Sequence, residues 1–300
     1  MPEHPIPPWP LITLAVEPKS KADLPRLAAA LARLAADDPA FSASTDAETG
    51  QSIIGGLSEL HLDAKVTALI GMDRLDLHVG APEVGYRETI SRSVEVDHTH
   101  KRIGSGGRNQ FARLIIRMSP RAIGEDAQFT SGIADRAIPA EFVAGARKGV
   151  DEALSAGIVA GFPVVSVNVE LRDGAYHQTD SSPAAFEIAA RTACREAMFK
   201  GGAVLLEPIM MVEVTTPQSH ADAVVADMLS RRGRIEGQRP AGETAFVSAL
   251  APLSNLFGYE NSLRSFTRGR ATYQTRYDHY AVTPRIDDDP PAAPALALRP

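Results

Sequence analysis

Cysteine is almost absent from this 300-residue chain. The single thiol, Cys194, excludes an intrachain disulfide, and a chain without a disulfide framework suits a reducing compartment. Only Arg195 stands near enough in sequence to activate it, so Cys194 reads as a small buried side chain rather than a reactive group. No apolar run approaches the roughly 18 residues that cross a bilayer. The start, Met1-Pro2-Glu3-His4, has neither a basic flank nor an apolar core, so no secretory signal is expected. A Gly-x-x-x-x-Gly-Lys-Ser/Thr phosphate loop occurs nowhere, which argues against nucleotide hydrolysis by these residues. His98 and His100 lack a Cys or acidic partner at zinc-ligand spacing and read as an exposed loop pair, so no metal is expected.

What is present is ordinary for a globular protein: 44% hydrophobic and 23% charged residues. Length alone predicts two or three domains. The net charge of −6 argues against general nucleic-acid binding, but the charge is segregated. From His98 to Gly124 there is no acid, while Lys101, Arg102, Arg108, Arg113, Arg117 and Arg121 all occur. A second basic group is Arg231, Arg232, Arg234 and Arg239, and a third is Arg264, Arg268 and Arg270. Such clusters permit phosphate contact at chosen places; taken singly, each also reads as a solvated face.

Periodicity predicts three folded segments. After a proline-rich lead-in over residues 1–10, residues 11–82 give strand, helix, two strands, helix and strand in turn. Ser20 or Asp23 is the expected cap of the first helix, with Pro25 inside its first turn. Residues 83–202 predict an α+β unit: strands over 86–93, 111–118 and 164–171, and helices over 139–155 and 183–199. Residues 203–285 repeat the first order, and the acidic, Pro/Ala-rich residues 286–300 are expected to stay disordered. The fold class is therefore α+β, with two ferredoxin-like βαββαβ domains flanking a central α+β domain.

Two loops of the central segment carry the chemistry. Gly104-Ser105-Gly106-Gly107 leads through Arg108-Asn109-Gln110 into a strand, unlike a phosphate loop, which opens a helix. The loop from Asp173 to Ser182 holds Tyr176, His177, Asp180, Ser181 and Ser182. These resemble hydrolase components, but a triad is assembled from separate segments, so hydrolysis is rejected. If both loops lie at one end, that end offers cations to phosphate, and Tyr176 and His177 to exposed bases. The bland alternative is that Tyr176 packs at the loop base.

The same stretches resemble elongation factor G. Gly55-Gly56-Leu57-Ser58-Glu59-Leu60-His61-Leu62 is similar to that family's Gly-Glu-Leu-His-Leu signature, with Ser58 for the usual Gly. Tyr86-Arg87-Glu88-Thr89-Ile90 resembles the entry to its fourth domain. His100-Lys101-Arg102 with Ser105 to Phe111 resembles the first tip loop of that domain, and Tyr176-His177 with Asp180-Ser181-Ser182 the second. Leu205 to Met210, Arg231-Arg232-Gly233, Pro252-Leu253-Ser254, Phe257-Gly258-Tyr259 and Leu263-Arg264-Ser265 resemble the fifth. The departures are Asn109 for a glycine, one added residue near Ile103-Gly104, and Gln178-Thr179 for Asp-Val; with the acidic tail they resemble a divergent paralogue.

The resemblance implies a cytoplasmic, monomeric, ribosome-binding translation factor that promotes tRNA–mRNA translocation. Its partners would be rRNA, the tRNA–mRNA duplex at the decoding site, and a GTPase half absent from this chain that would hold GTP and Mg. No cofactor, no membrane and no catalytic residue are expected here. The resemblance makes Lys101, Arg102, Ser105, Gly106, Gly107, Arg108, Gln110, Tyr176, His177 and Asp180 the RNA-binding tip, and Arg231, Arg232, Arg264 and Arg268 rRNA contacts. Ribosome recycling, or occupancy of the factor site by a stand-alone module, is the alternative.

Overall fold

A computed structural model describes residues 9–46, 50–104, 109–133 and 138–284. The predicted tail, most of the lead-in, the Glu48-Thr49 turn, and Ser105, Gly106, Gly107 and Arg108 lie outside the described residues. The chain divides into two compact units, residues 86–206 and the remainder. No helix among the described residues is long and apolar enough to cross a membrane.

The first α+β segment runs β1 (Ile12–Pro18), α1 (Leu24–Asp37), β2 (Ser42–Thr45), β3 (Ser52–Gly56), α2 (Glu59–Gly71) and β4 (Leu77–Val79). Its sheet order is β2-β3-β1-β4, antiparallel throughout, as a ferredoxin-like domain requires. Alternation on β1 buries Ile12, Leu14 and Val16, which meet Leu27, Ala30, Leu31 and Leu34 of α1. Asp23 is the α1 N-cap but makes no side-chain cap bond; Ser20 instead accepts from Ala22 in a preceding short turn. Ser58 caps α2 by accepting the His61 N–H. The His61 ring accepts Leu57 N–H at Nδ1, 3.1 Å, so its Nε2 donates to Asp38 at 3.0 Å. Lys65 reaches the same carboxylate at 2.6 Å. The short β5 (Glu83–Val84) pairs with β1.

In the other unit, β6 (Arg87–Ile90) is followed by β7 (Val94–Arg102), β8 (Gln110–Pro120), β9 (Gln128–Ser131), α3 (Ala140–Ala156), β10 (Val167–Ala175) and α4 (Pro183–Lys200). The sheet order is β7-β8-β10-β9, parallel only between β9 and β10. Ala112, Leu114, Ile116 and Met118 of β8 face the helices, and Arg113 and Arg117 therefore lie on the open face. Helices α3 and α4 approach closely because Gly145 and Gly149 lack side chains; a Cβ at either would run into the backbone of Pro183 or Glu187. Cys194 is fully buried on α4, and burial pushes its thiol up to about 12, as expected of a structural cysteine. Glu88, 2% exposed, accepts the backbone N–H groups of Ile158, Val159, Ala160 and Phe162 at 2.7–3.2 Å and so organises that turn.

Two elements differ from expectation. The predicted strand over 86–93 ends at Ile90, and the expected loop around His98 and His100 is the strand β7, in nine-residue register with β8. Only Val94 and Val96 of β7 are apolar, so its alternation was hidden; the inward positions of His98 and His100 are polar and only half-buried. The edge strand β9, Gln-Phe-Thr-Ser, is too short and polar to announce itself.

The last segment repeats the first: β11 (Ala203–Pro217), α5 (Ala221–Ser230), β12 (Arg234–Ala241), β13 (Thr244–Pro252), α6 (Tyr259–Thr267) and β14 (Thr272–Val282), in order β12-β13-β11-β14. The first residues of β11, 203–206, also pair with β6. Trp9 packs edge-on against Tyr280, 5.8 Å between centroids, so the end of the expected lead-in is anchored.

Candidate nucleic-acid interface

The hairpin β7–β8 sets Lys101 opposite Phe111 and Arg102 opposite Gln110. His100 reaches the Gln110 side-chain oxygen at 3.0 Å, closing the base of the hairpin. Phe111 then ties the second loop to the first. Its N–H donates to the Asp180 carbonyl at 2.9 Å, and its carbonyl accepts the Ser181 hydroxyl at 2.6 Å. Ser181 also accepts the His177 N–H at 2.9 Å and donates its own N–H to the His177 carbonyl at 3.1 Å. The described flanks of the first loop, Lys101, Arg102 and Gln110, thus share one end of this unit with the second loop.

Lys101 and Arg102 are exposed there and have no carboxylate partner among the described residues. The His177 side chain is 58% exposed, with Nδ1 3.4 Å from Asp180 and 3.1 Å from the Thr179 hydroxyl. That leaves Nε2 free of these internal contacts. Tyr176 is exposed on one side, and on the other its ring tilts against Phe142 at 5.7 Å; Phe142 stacks in turn on buried Phe186. The tyrosine is both a loop-base anchor and a surface aromatic, so the two readings of it are compatible. Ser182 caps α4 through Ala185 N–H, and Ser181 is bonded to backbone. Neither hydroxyl engages the imidazole, so the loop is not a hydrolytic triad.

The acid-free run does not fold into one basic patch. Arg113 donates to both Asp97 oxygens at 2.9 and 2.5 Å, and this hydrogen-bonded guanidinium holds the Asp97 carboxyl below its usual range. Arg121 pairs with Glu125 at 2.6 Å. The partners Asp97 and Glu125 lie just outside the run, where a scan for acids within it does not look. Arg117 is exposed without a carboxylate partner among the described residues, but on the open sheet face.

In the last segment Arg231 is a clamp, not a surface cation. Its side chain is only 17% exposed, with Nε on Asp227 at 2.8 Å, one terminal nitrogen on the Asn255 carbonyl and the other on Ser262, and its plane lies over Tyr259. With every nitrogen engaged and the side chain mostly buried, the guanidinium is held inward rather than presented as a free surface cation. Arg232 binds Glu207 through both terminal nitrogens, at 2.6 and 3.3 Å, and Glu207 is 3% exposed. Arg264 pairs with Glu260 on its own helix at 2.8 Å. Arg268 alone of the four expected rRNA contacts is exposed without a carboxylate partner among the described residues; it ends α6 in the left-handed region, φ +54°. Among the described residues no cluster could hold a metal ion.

Three family models match in chain order: elongation factor G domain III over residues 7–81, domain IV over 82–202, and the elongation factor G C-terminus over 204–289. Elongation factor G of Rhodopseudomonas palustris (strain BisB18) is 50% identical over 277 residues, which are 92% of this chain and 40% of that protein. A crystal structure from Thermus thermophilus superposes with a TM-score of 0.66 at 33% identity, covering 95% of this chain and 42% of the other. The chain thus spans about two fifths of the length of these relatives. Across that span, sequence, domain order and fold agree: the chain belongs to the elongation factor G family.

Proposed function

We propose that the chain is the ribosome-engaging part of an elongation factor G-type translation factor, acting in the cytoplasm with a GTPase part outside these residues. The observation that carries this reading is the latch at Phe111, which sets Lys101, Arg102 and His177 at one end of one unit. The two cations, which no described carboxylate neutralises, would bind phosphates, and the exposed imidazole, set beside Thr179 and Asp180 on a loop whose backbone Ser181 pins, would contact the tRNA–mRNA duplex. Of Arg231, Arg232, Arg264 and Arg268, only Arg268 is left for rRNA by the carboxylates of the described residues. The chain supplies no chemistry of its own in this reading and binds no guanine nucleotide.

Ribosome pelleting tests it. The chain is expected to bind ribosomes at about 50 mM salt, to lose affinity steeply by about 200 mM, and to compete with intact elongation factor G. Binding that ignores both salt and the competitor would refute the reading. The departures Asn109 and Gln178 fall in the tip and favour subunit splitting as the second reading. In that case a GTPase-linked form would accelerate splitting while leaving translocation unassisted.

A further inference from the structure

The sheet of the last segment buries one face under its helices and leaves the other open. Val212, Val214, Ala245 and Val247 are buried on β11 and β13, so Glu213, Thr215, Phe246 and Ser248 point away from them. The register arranges this open face in rows. Arg239, Phe246 and Thr215 form one row, and Gly237, Ser248 and Glu213 the next. A cavity of about 480 Å³ lies over them, with Gln274 of β14 at its margin.

Folding alone leaves this face unexplained. Phe246 is 39% exposed, and the Arg239 guanidinium lies over its ring, 5.2 Å from the centroid. Arg239 has no carboxylate partner among the described residues, whereas Arg231, Arg232, Arg234 and Arg276 each have one. A guanidinium held against an aromatic ring with no counter-ion is a preorganised cationic plane. It complements a ligand that is both planar and anionic, which describes an unpaired nucleotide. The base would stack on the Arg239–Phe246 layer with a phosphate beside the guanidinium.

The next row, about 7 Å along the strands, supplies the selectivity. There the Glu213 carboxylate is 51% exposed and held 3.3 Å from Arg276, with the Ser248 hydroxyl on the neighbouring strand. An ionised carboxylate only accepts hydrogen bonds. It favours a base edge carrying adjacent N–H groups, which guanine has, over the carbonyl-rich edge of uracil.

We propose that this face binds one unpaired guanine of single-stranded RNA, with Phe246 and Arg239 as the stacking layer and Glu213 as the selecting acceptor. The site goes beyond the tip and shares with the reading above only the expectation of an RNA partner.

The test uses the whole chain and two fluorescein-labelled RNA octamers, alternating UG and all U, followed by anisotropy at about 50 mM salt. The UG octamer is expected to bind more tightly. Phe246→Ala should weaken it by about tenfold, the loss typical of one stacked base. Glu213→Gln should remove the preference for UG while leaving U-octamer affinity unchanged, and Arg239→Lys, which keeps the charge but not the plane, should weaken both octamers. Thermal unfolding of each variant checks that these exposed substitutions leave the fold intact; should one misfold, the other two carry the test. Equal affinity for the two octamers, parental affinity in Phe246→Ala, or no binding to the parent chain would overturn the proposal. Loss of UG binding in a Lys101→Ala/Arg102→Ala double variant, with Phe246→Ala silent, would place the RNA at the tip. That result would overturn this site while leaving the ribosomal reading intact.

Discussion

Lys101 and Arg102 at the tip, and Arg231 and Arg232 in the last segment, are both adjacent basic pairs, and as sequence they promise the same thing. The fold treats them oppositely. The tip pair is exposed without carboxylates among the described residues, while Arg231 meets Asp227 four residues back and Arg232 meets Glu207 from 25 residues away. Positive charge in a sequence becomes positive surface only where folding brings no acid to it. Of the two pairs, therefore, one stabilises the protein and the other is available to a partner.

The largest expected effect breaks the structural pair. Arg232→Ala strands Glu207, a buried carboxylate, and should cost about 3 kcal/mol in urea denaturation; partial access of water to Arg232 keeps it at the low end for such a loss. A change below about 0.5 kcal/mol would mean that Glu207 is satisfied without it. The converse substitution, Lys101→Glu with Arg102→Glu, should leave stability within about 0.5 kcal/mol. It should weaken ribosome binding and flatten the log–log salt dependence by about 1.5, two phosphate contacts' worth. An unchanged slope would show the tip cations to be mere solvated charges.

Acid sharpens the same contrast, because paired carboxylates titrate with folding. Hydrogen bonds from Lys65, then His61 and the Ala40 N–H, hold Asp38 down at about 2. Its unfolded value is higher, about 3.9, so its contribution is fully present above that pH and is lost as the pH falls through about 2. Denaturation midpoints should drop between about pH 4 and 2, and Asp38→Asn should flatten that limb. A variant with the parental acid limb would assign it to other carboxylates. The smallest effect belongs to His177→Ala, whose exposed ring should change stability by less than about 0.5 kcal/mol. A larger loss would make the histidine part of the loop's framework.

The βαββαβ repeats were legible because their strands alternate and their helices carry apolar stripes, as β1 and α1 do. Strand β7 was not, since seven of its nine residues are polar or charged and it is held by pairing with β8. The gathering of the tip loops could be posed from sequence only as a condition. For the described residues, a pair of hydrogen bonds between Phe111 and residues 180 and 181 brings the flank of the first loop to the second, and nothing in local composition encodes that contact. The charge clusters misled for a related reason: Asp97 and Glu207 reach their arginines through strand register and chain return, which a linear count of charge does not register, while Glu125 stands one residue past the acid-free run and four from Arg121.

The central claim is that the latched tip acts on the tRNA–mRNA duplex while the chemistry lies elsewhere. It is tested most directly by joining this chain to the part of the Rhodopseudomonas palustris factor that it does not match and timing single-round translocation and GTP hydrolysis together. His177→Ala is expected to slow movement of the duplex while GTP hydrolysis keeps its parental rate. Full translocation speed in that variant would contradict the claim.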